Sequence, residues 1–296
     1  MNQAAAHATA LSAASWQVGG GVVSLARPRI MGIVNVTPDS FSDGGQHFDA
    51  TRAIEHGLRL AAEGADILDI GGESTRPGAA EVDAEEELAR VLPVIRGLSG
   101  TGLPLSVDTS KPAVMHAALA AGAAIVNDVR ALAVPGALEA VRDSDCGVVL
   151  MHMQGAPRSM QSDPRYDDVV AEVRAFLMSR AAACEAAGIA RARIVLDPGY
   201  GFGKTLEHNL ALLARQAHLA ASGYPLLAGL SRKSMLGAVT GRAAHERAVA
   251  SAAAALIAVQ RGASIVRVHD VAATVDALKI WQAIQEADQQ EPGGSG

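Results

Sequence analysis

Eight short apolar runs constrain the fold more than any other feature of the chain. The runs end at Asn35, Gly71, Asp108, Asn127, His152, Asp197, Ser231 and His269. Strands that are buried on both faces have nearly continuous apolar sequences, which is typical of a parallel sheet covered by helices. The residue that ends each run would then lie at the carboxyl end of a strand. We therefore predict an α/β fold, a (β/α)8 TIM barrel, with the active site at the C-terminal rim of the strands.

The segments between the runs have helical periodicity. We expect Asp49 to cap a helix that Gly64 ends, and a second helix to begin after Asp83, where three glutamates suit the positive end of the helix dipole. Pro93 lies inside that second pattern and predicts a kink or an early break. Further helices are expected at 111–121, 135–145, 166–188, 206–221, 245–261 and 271–288. Strand and helix thus alternate eight times, as in an α/β barrel.

The length of the chain favours a single domain. A TIM barrel takes about 250 residues, and no linker rich in Pro, Gly or Ser divides the 296 residues. We expect one catalytic domain at 29–288, with a flexible N-terminal extension at 1–28 and a flexible tail at 289–296. The extension contains no Lys or Arg before Arg27, so it lacks the charged region of a secretory signal.

Charge and hydropathy limit the expected partners and location. No apolar run reaches the roughly 18 residues of a membrane span, so we expect no membrane contact and a cytoplasmic location. The formal net charge of −6 argues against a nucleic-acid partner, because such partners usually require a basic face. Cys146 and Cys184 stand in apolar surroundings and are interpreted as small buried side chains, not as a disulfide or a metal pair.

Four rim residues from separate strand ends would meet at the mouth of the barrel. They are Asp108, Asn127, Asp197 and Lys233. One interpretation is that they satisfy one another, with the lysine pairing an aspartate for stability. The other interpretation is a binding site for a flat heterocycle. Carboxylates accept hydrogen bonds from N–H groups, an ammonium donates them, and an amide can do either. Four such groups at the functional rim favour the site.

The last strand adds a candidate anion site. Arg267 and His269 are two residues apart, so both side chains would point into the barrel mouth. Asn35 ends the neighbouring first strand and would face the same space. Gly71, Gly72, Ser74, Thr75 and Arg76 follow the second strand and add hydroxyls, backbone N–H groups and a cation. The alternative is that His269 only makes hydrogen bonds within the protein and that Arg267 is exposed to solvent.

Other apparent motifs do not predict a function. GYGFGKT at 199–205 resembles a phosphate-binding loop, but its first glycine is one residue too close to the second. The histidines form neither an H-E-x-x-H motif nor a Cys/His cluster, which argues against a zinc site. Ser231 and Ser234 have no evident His–Asp relay, so a serine nucleophile is not expected.

The motifs at the strand ends resemble those of the bacterial dihydropteroate synthase family. They are IMGIVNVTPDSFSDGG at 30–45, GADILDIGGESTRPGA at 64–79, SVDTSKP at 106–112, IVNDV at 125–129, LMHMQG at 150–155, DPGYGFGK at 197–204, GLSRKS at 229–234 and RVHDV at 267–271. The resemblance covers about residues 28–285. It implies a transferase of folate biosynthesis that condenses 6-hydroxymethyl-7,8-dihydropterin diphosphate with p-aminobenzoate, giving 7,8-dihydropteroate and pyrophosphate.

The resemblance also implies roles for individual residues. The pterin would be bound by Asp108, Asn127, Met151, Asp197, Phe202 and Lys233. The diphosphate would be held by Asn35, Thr75, Arg76, Arg267 and His269, and the p-aminobenzoate by Phe41, Thr75, Pro77, Phe202 and Ser234. Mg²⁺ would bridge Asn35 and phosphate oxygens, because this ion needs few protein ligands beside phosphate and water.

The implied chemistry is a dissociative substitution. The C–O bond breaks first, and Mg²⁺, Arg267 and His269 stabilise the departing pyrophosphate. Asp108 and Asp197 would stabilise the pterin cation, and Lys233 is also among the residues expected to be catalytic. The Gly-, Ser- and Pro-rich loops at 36–48 and 72–82 would close over the intermediate. Sulfonamides, which imitate p-aminobenzoate, would compete for its site.

Two further expectations concern the second substrate and assembly. We expect Ser234 to cap the short helix that follows Lys233 and to bind the carboxylate of p-aminobenzoate. The helix region 245–261 is apolar around much of its circumference, which predicts a homodimer through this region.

An alternative function stays open at the sequence level. Pterin- or folate-binding barrels without catalysis share the fold and the Asp/Asn/Asp pocket, and a silent paralogue would share more. The TPDSF loop, the STRPG loop, the SRKS turn and the Arg267/His269 pair favour the synthase, since a pure binding module would not need them.

Overall fold

A computed structural model describes residues 15–36, 46–74, 81–155 and 160–290. Its strands are β1 Ser15–Val18, β2 Gly21–Ser24, β3 Arg29–Asn35, β4 Ile67–Gly71, β5 Leu105–Asp108, β6 Ile125–Asp128, β7 Gly147–Met151, β8 Ile194–Asp197, β9 Leu227–Ala228 and β10 Ile265–Val268. Its helices are α1 Gln46–Ala62, α2 Ala84–Leu98, α3 Pro112–Ala120, α4 Ala137–Arg142, α5 Val169–Ala186, α6 Leu206–Ala214, α7 Ala217–Ala220, α8 Ser234–Thr240, α9 Ala248–Gln260 and α10 Val271–Gln290.

Strands β3 to β10 form one parallel sheet in the order β8-β7-β6-β5-β4-β3-β10-β9. The remaining gap is bridged just before β9, where Leu226 pairs in parallel with Leu196 of β8. The Leu196 N–H also donates to the Pro225 carbonyl at 3.0 Å. These contacts close the sheet as a barrel, and helices lie between all successive strands of this sheet, so the predicted (β/α)8 class is confirmed.

An N-terminal hairpin closes the bottom of the barrel. Strands β1 and β2 pair in an antiparallel register, with Gly19 and Gly20 as the turn between Val18 and Gly21. Trp16 is fully buried, and its indole N–H donates to the Arg193 carbonyl at 2.8 Å. Its apolar side joins one core cluster with inward-facing strand residues, which are Met31, Ile67, Ile125, Val149, Val195, Leu227 and Ile265.

This hairpin corrects the expected flexible extension at 1–28. Residues 15–28 are ordered because alternate side chains, Trp16 and Val18 among them, cover apolar surface that the barrel strands would otherwise expose. Residues 1–14 and 291–296 lie outside the described part of the chain, so the predicted tail is not tested. The sequence signal that was missed is an aromatic strand followed by a glycine turn.

The helices differ from prediction in a few places. Helix α2 begins directly after Asp83, as expected, and Asp83 also caps it by accepting a hydrogen bond from the Glu86 N–H at 2.8 Å. Asp49 is not a cap, because α1 has already begun at Gln46. Pro93 does not break α2, which continues to Leu98. The segment expected as one helix at 206–221 is divided into α6 and α7, and the segment at 135–145 forms only the short α4.

Two composition-based expectations can be compared with the structure. Cys146 and Cys184 are both buried and form no disulfide, as predicted. Within the described ranges, no helix combines the length and apolarity that crossing a membrane requires.

Candidate functional site

The centre of the site is a buried charge network across the barrel mouth. Arg267 of β10 donates through Nε to Asp69 Oδ2 at 2.6 Å and through Nη2 to Asp108 Oδ2 at 2.7 Å. Asn127 of β6 donates through Nδ2 to the same Asp69 oxygen at 3.1 Å. Three of the predicted rim residues are therefore brought together, and Asp69 of β4 joins them.

One guanidinium faces two carboxyl groups in this network, which therefore carries a net negative charge when both are ionised. Burial raises the pKa of Asp108 to about 7, against the lowering effect of Arg267, and the nearby Asp69 carboxylate raises it further. Burial alone would lower the pKa of Arg267, but Asp69 and Asp108 together raise it. The mouth therefore favours a ligand that brings N–H donors or positive charge to these oxygens.

Asp69 is the residue at this centre that sequence reasoning missed. Its side chain is fully buried, and Oδ1 has no hydrogen-bond partner within the described part of the chain. A buried carboxylate oxygen without a partner is costly unless a ligand supplies the missing donor. The sequence did contain a signal, because Asp69 is a charged residue inside the apolar run ILDI, and burying a charge costs free energy.

Asp197 and Lys233 form the neighbouring wall of the mouth. Asp197 ends β8, is nearly fully buried, and accepts from the Gly199 N–H at 2.7 Å. Lys233 donates through Nζ to the Tyr200 carbonyl. Burial raises the pKa of Asp197, against the opposing charge of Lys233. Burial also lowers the pKa of Lys233 to about 8, against the opposing charge of Asp197.

Apolar surface lies beside this wall. Met151 ends β7 directly opposite Asp197 in the parallel register and is almost fully buried. The Phe202 ring lies under Lys233, with its centroid 4.6 Å from Nζ. An aromatic ring and a thioether beside polar donors and acceptors suit a flat heterocycle.

The predicted anion residues are arranged differently from the expectation. His269 lies at the rim, with Nδ1 3.0 Å from Ser231 Oγ. Asp69 and Asp108 bind two of the three guanidinium nitrogens of Arg267. Arg267 is therefore not a side chain directed only at an anion, and it is not a solvated arginine either. Its Nη1 makes no hydrogen bond to any described residue and is the nitrogen left for a ligand.

Ser234 does not cap the helix as predicted. It is the first residue of α8, the capping position is taken by Lys233, and no side-chain capping hydrogen bond is made there. The side chain of Ser234 is exposed beside the rim. Phe41, Thr75, Arg76 and Pro77 lie outside the described residues, so their predicted placement is not tested.

Two oxygen donors at the barrel mouth lie close enough together to be relevant to Mg²⁺. Asn35 ends β3, and its Oδ1 lies 3.9 Å from the point that a side-chain carbon on Gly71 would occupy, as does Asp108 Oδ2. Gly71 thus leaves a small space between an amide oxygen and a carboxylate oxygen. Within the described ranges, no group of three or more His, Cys, Asp or Glu side chains could hold a metal. The donors fit an ion that takes most of its ligands from phosphate and water.

The GYGFGK segment forms the βα loop after β8, as its position predicted, and does not cradle an anion. Its lysine, Lys204, is nearly fully buried, and Nζ lies 2.9 Å from the Gly199 carbonyl, 3.1 Å from the Phe202 carbonyl and 3.0 Å from His152 Nδ1. All three contacts are internal to the protein. Sequence reasoning assigned this lysine no role.

A second buried ion cluster lies beside the mouth. Lys111, at the start of α3, is bound by Glu73 Oε2 at 2.7 Å and by Glu87 Oε2 of α2 at 2.6 Å. Glu87 is fully buried, and burial raises its pKa against the opposing effect of Lys111. The sequence held no periodic signal for this cluster, because its members come from three separate segments.

Comparison with known proteins gives consistent results. A family model described as pterin binding enzyme matches residues 31–269. The dihydropteroate synthase of Neisseria meningitidis serogroup C is 57% identical over 274 residues, which are 91% of this chain and 97% of that protein.

Solved structures with ligands are similar as well. A Xanthomonas albilineans dihydropteroate synthase with 4-aminobenzoic acid is 59% identical, with a TM-score of 0.85, covering 92% of this chain and 96% of that one. A Burkholderia cenocepacia dihydropteroate synthase complexed with 7,8-dihydropteroate is 52% identical, with a TM-score of 0.86, covering 94% and 99%.

Proposed function

Since the chain belongs to the dihydropteroate synthase family of pterin-binding enzymes, we infer that it condenses 6-hydroxymethyl-7,8-dihydropterin diphosphate with p-aminobenzoate. The products are 7,8-dihydropteroate and pyrophosphate. The observation that carries this conclusion is the set of carboxylate, amide and ammonium groups at the barrel mouth, in a chain that is 57% identical to a dihydropteroate synthase.

The pterin is proposed to bind with its N–H edge toward the buried carboxylates. Asp197 accepts from that edge, and Asn127 can both donate and accept. The uncompensated Oδ1 of Asp69 offers one more acceptor within the pocket. Met151 and Phe202 pack against the ring, and Lys233 donates to a carbonyl or ring nitrogen of the pterin.

The substitution is proposed to be dissociative. The bond between the pterin methylene and the bridging oxygen breaks, and its electron pair leaves with pyrophosphate. Asp108 and Asp197 stabilise the positive charge that spreads into the ring, while Arg267 Nη1 and His269 are assigned to the departing anion. The aniline nitrogen of p-aminobenzoate then forms the new C–N bond and releases one proton.

Mg²⁺ is proposed as the cofactor, held by Asn35 together with oxygens of the diphosphate. When bound, it neutralises charge on the leaving pyrophosphate. The oxygen donors beside Gly71 support this assignment. Thr75 and Arg76 are proposed to complete the diphosphate site. The p-aminobenzoate site is proposed to consist of Phe41, Thr75, Pro77, Phe202 and Ser234. Competition by sulfonamides follows if these drugs occupy that site.

One assay distinguishes the synthase from a non-catalytic pterin-binding barrel. The purified protein is mixed with Mg²⁺, pterin diphosphate and p-aminobenzoate, and pyrophosphate release is followed. The synthase releases pyrophosphate only when both substrates are present. Pterin binding without release above background would instead support the binding module or a silent paralogue.

We also propose a homodimer that uses the helix region 245–261. Helix α9 is almost entirely apolar, and Val249 on it is 82% exposed. The adjacent α10 presents Ile280 and Ile284, which are 65% and 60% exposed. Burial of such side chains against a second copy is favourable. The cytoplasmic location stays a prediction.

A further inference from the structure

Lys204 is a buried amine whose partners lie on two different loops of the barrel mouth. Its Nζ contacts the carbonyls of Gly199 and Phe202, which belong to the loop after β8. The third contact, His152 Nδ1, belongs to the segment that follows β7. Lys204 is 3% exposed, and all three of these contacts of its amine are with protein atoms. Its effect on the reaction is expected to pass through these neighbours, because they already bind its Nζ.

The loop after β8 lies unusually close to the segment after β7. Gly199 has φ 66°, and a side-chain carbon there would overlap the His152 carbonyl oxygen. Gly203 has φ 60°, and a side-chain carbon there would overlap the Gln154 carbonyl oxygen. Only glycine permits this approach of two backbones at both positions. Lys204 then bridges them from within, so the two segments form one hydrogen-bonded unit.

This unit supplies the apolar surface of the mouth. Phe202 is held by its carbonyl to Lys204, and its ring lies 4.6 Å from Lys233 Nζ. Met151 directly precedes His152, the partner of Lys204 on the other segment. Other bonds hold the same loop from outside, where Tyr166 donates to the Gly203 carbonyl at 2.8 Å. Lys204 Nζ joins the carbonyls of Gly199 and Phe202, which the Phe202 N–H also links by donating to the Gly199 carbonyl at 3.1 Å, and Lys204 extends this link to His152 on the other segment.

We propose that Lys204 is a positioning residue of the reaction, which fixes the Phe202 ring against Lys233 and so shapes the place where p-aminobenzoate meets the pterin. The inference rests on the proposed function and deepens it. Its distinctive content is that Lys204 acts through Phe202, and not through general stability of the barrel.

The bridge is compatible with either protonation state of the amine. An ammonium donates to both carbonyls and to a neutral His152, whose pKa burial and Lys204 lower to about 3. A neutral amine donates to the two carbonyls and accepts from the Nδ1–H tautomer of the same ring. The contacts of Lys204 therefore persist across the pH range of an assay, although burial lowers its own pKa to about 7.

The test is a double-mutant cycle of Lys204→Met and Phe202→Ala, read out as the KM for p-aminobenzoate. Lys204→Met should raise this KM by about tenfold, which corresponds to about 1.4 kcal/mol. In the Phe202→Ala background the same change should raise it less than about twofold, because the group through which Lys204 acts is gone. An equal factor in both backgrounds overturns the proposal.

Arg193→Met is the matched control. Arg193 is also a buried cation bound by carbonyls, those of Cys146 at 2.6 Å and Val141 at 2.8 Å, and it lies at the opposite end of β8. Its loss should lower the melting temperature and leave the KM for p-aminobenzoate unchanged. If it raises the KM as much as Lys204→Met does, the effect is one of stability and the proposal fails.

Two further measurements keep the proposal testable if Lys204→Met folds poorly. His152→Gln removes one of the three contacts and should raise the same KM by a smaller factor. Phe202→Trp, placed in the wild-type and the Lys204→Met chains, should show greater acrylamide quenching in the latter. Unchanged quenching and an unchanged KM overturn the positioning role. A wild-type chain that releases no pyrophosphate contradicts the proposed function instead, while the quenching comparison still decides the loop geometry.

Discussion

The chemical properties of individual rim residues depend on burial as much as on charge. Asp197 accepts from the Gly199 N–H and faces Lys233, so its carboxylate has one protein donor and one cation for two oxygens. The unused acceptor capacity is what a pterin N–H edge would fill. The role of Asp197 therefore depends on its being an acceptor only.

Asp197→Asn should weaken pterin binding by about 1–3 kcal/mol, because the amide presents a donor where the ligand also donates. The Gly199 contact can be retained by the amide oxygen, so the fold should tolerate the change. Calorimetric titration with a pterin that lacks the diphosphate measures the effect directly. An unchanged affinity would remove Asp197 from the pocket.

Lys204 predicts a pH dependence of stability. Its pKa is about 7 in the folded chain against an ordinary value of 10.5, so the unfolded chain binds more protons between these values. Its contribution is thus fully present above 10.5 and is lost as the pH falls toward about 7. The stability of the wild type relative to Lys204→Met should rise through this window by up to about 1.4 kcal/mol per pH unit. Urea unfolding at several pH values tests this, and parallel curves for the two chains would contradict it.

The secondary-structure elements have two roles. The barrel strands position the residues of the mouth at their carboxyl ends, and the hairpin of β1 and β2 closes the bottom of the barrel. Strand ends could be predicted from sequence because each combines a buried apolar run with a polar residue, and that pattern is local. Asp69 had a local signal, a charge inside an apolar run, but its partner Arg267 is 198 positions away, so the sequence did not show what binds that charge. Lys204 was missed because its acceptors are backbone carbonyls, which leave no trace in side-chain identity.

The hairpin was missed for a different reason. Its strands have only four residues each, which gives a weak periodic pattern. The hairpin is stabilised mainly by packing against apolar residues at the bottom of the barrel. The start of α2 after Asp83, by contrast, was predicted because the acidic residues of a first helical turn are a signal contained within a few positions. Single-residue capping signals were less reliable, since neither Asp49 nor Ser234 caps its helix, and contacts between distant segments needed the structure.

Trp16→Ala should lower the free energy of unfolding by about 3–5 kcal/mol, since it removes a fully buried indole from the bottom of the barrel. The KM values of both substrates should stay unchanged, because the mouth lies at the other end of the strands. Gln17→Ala is the control, as Gln17 lies on the exposed face of the same strand. Comparable destabilisation by the two changes in urea would contradict the closing role of Trp16.

At the scale of the whole molecule, the barrel separates stability from chemistry along its axis. The N-terminal end is sealed by apolar packing around Trp16, while the C-terminal end concentrates the unbalanced charges. Neither end accounts for the exposed apolar side chains of α9 and α10, which lie on the outer wall. Their burial requires a second surface, and a second copy supplies one of identical character.

The proposed homodimer predicts that a charge placed on α9 separates the subunits. Val249→Asp puts a carboxylate where the wild type has an 82% exposed valine, and burying it in an apolar interface without a partner is unfavourable. Light scattering at micromolar concentration should give a dimer mass for the wild type and a lower mass for the variant. Val22→Asp is the matched control, because Val22 is 62% exposed on the hairpin, away from α9. Dissociation by Val22→Asp alone would move the interface to the bottom of the barrel, and a monomeric wild type would exclude the dimer.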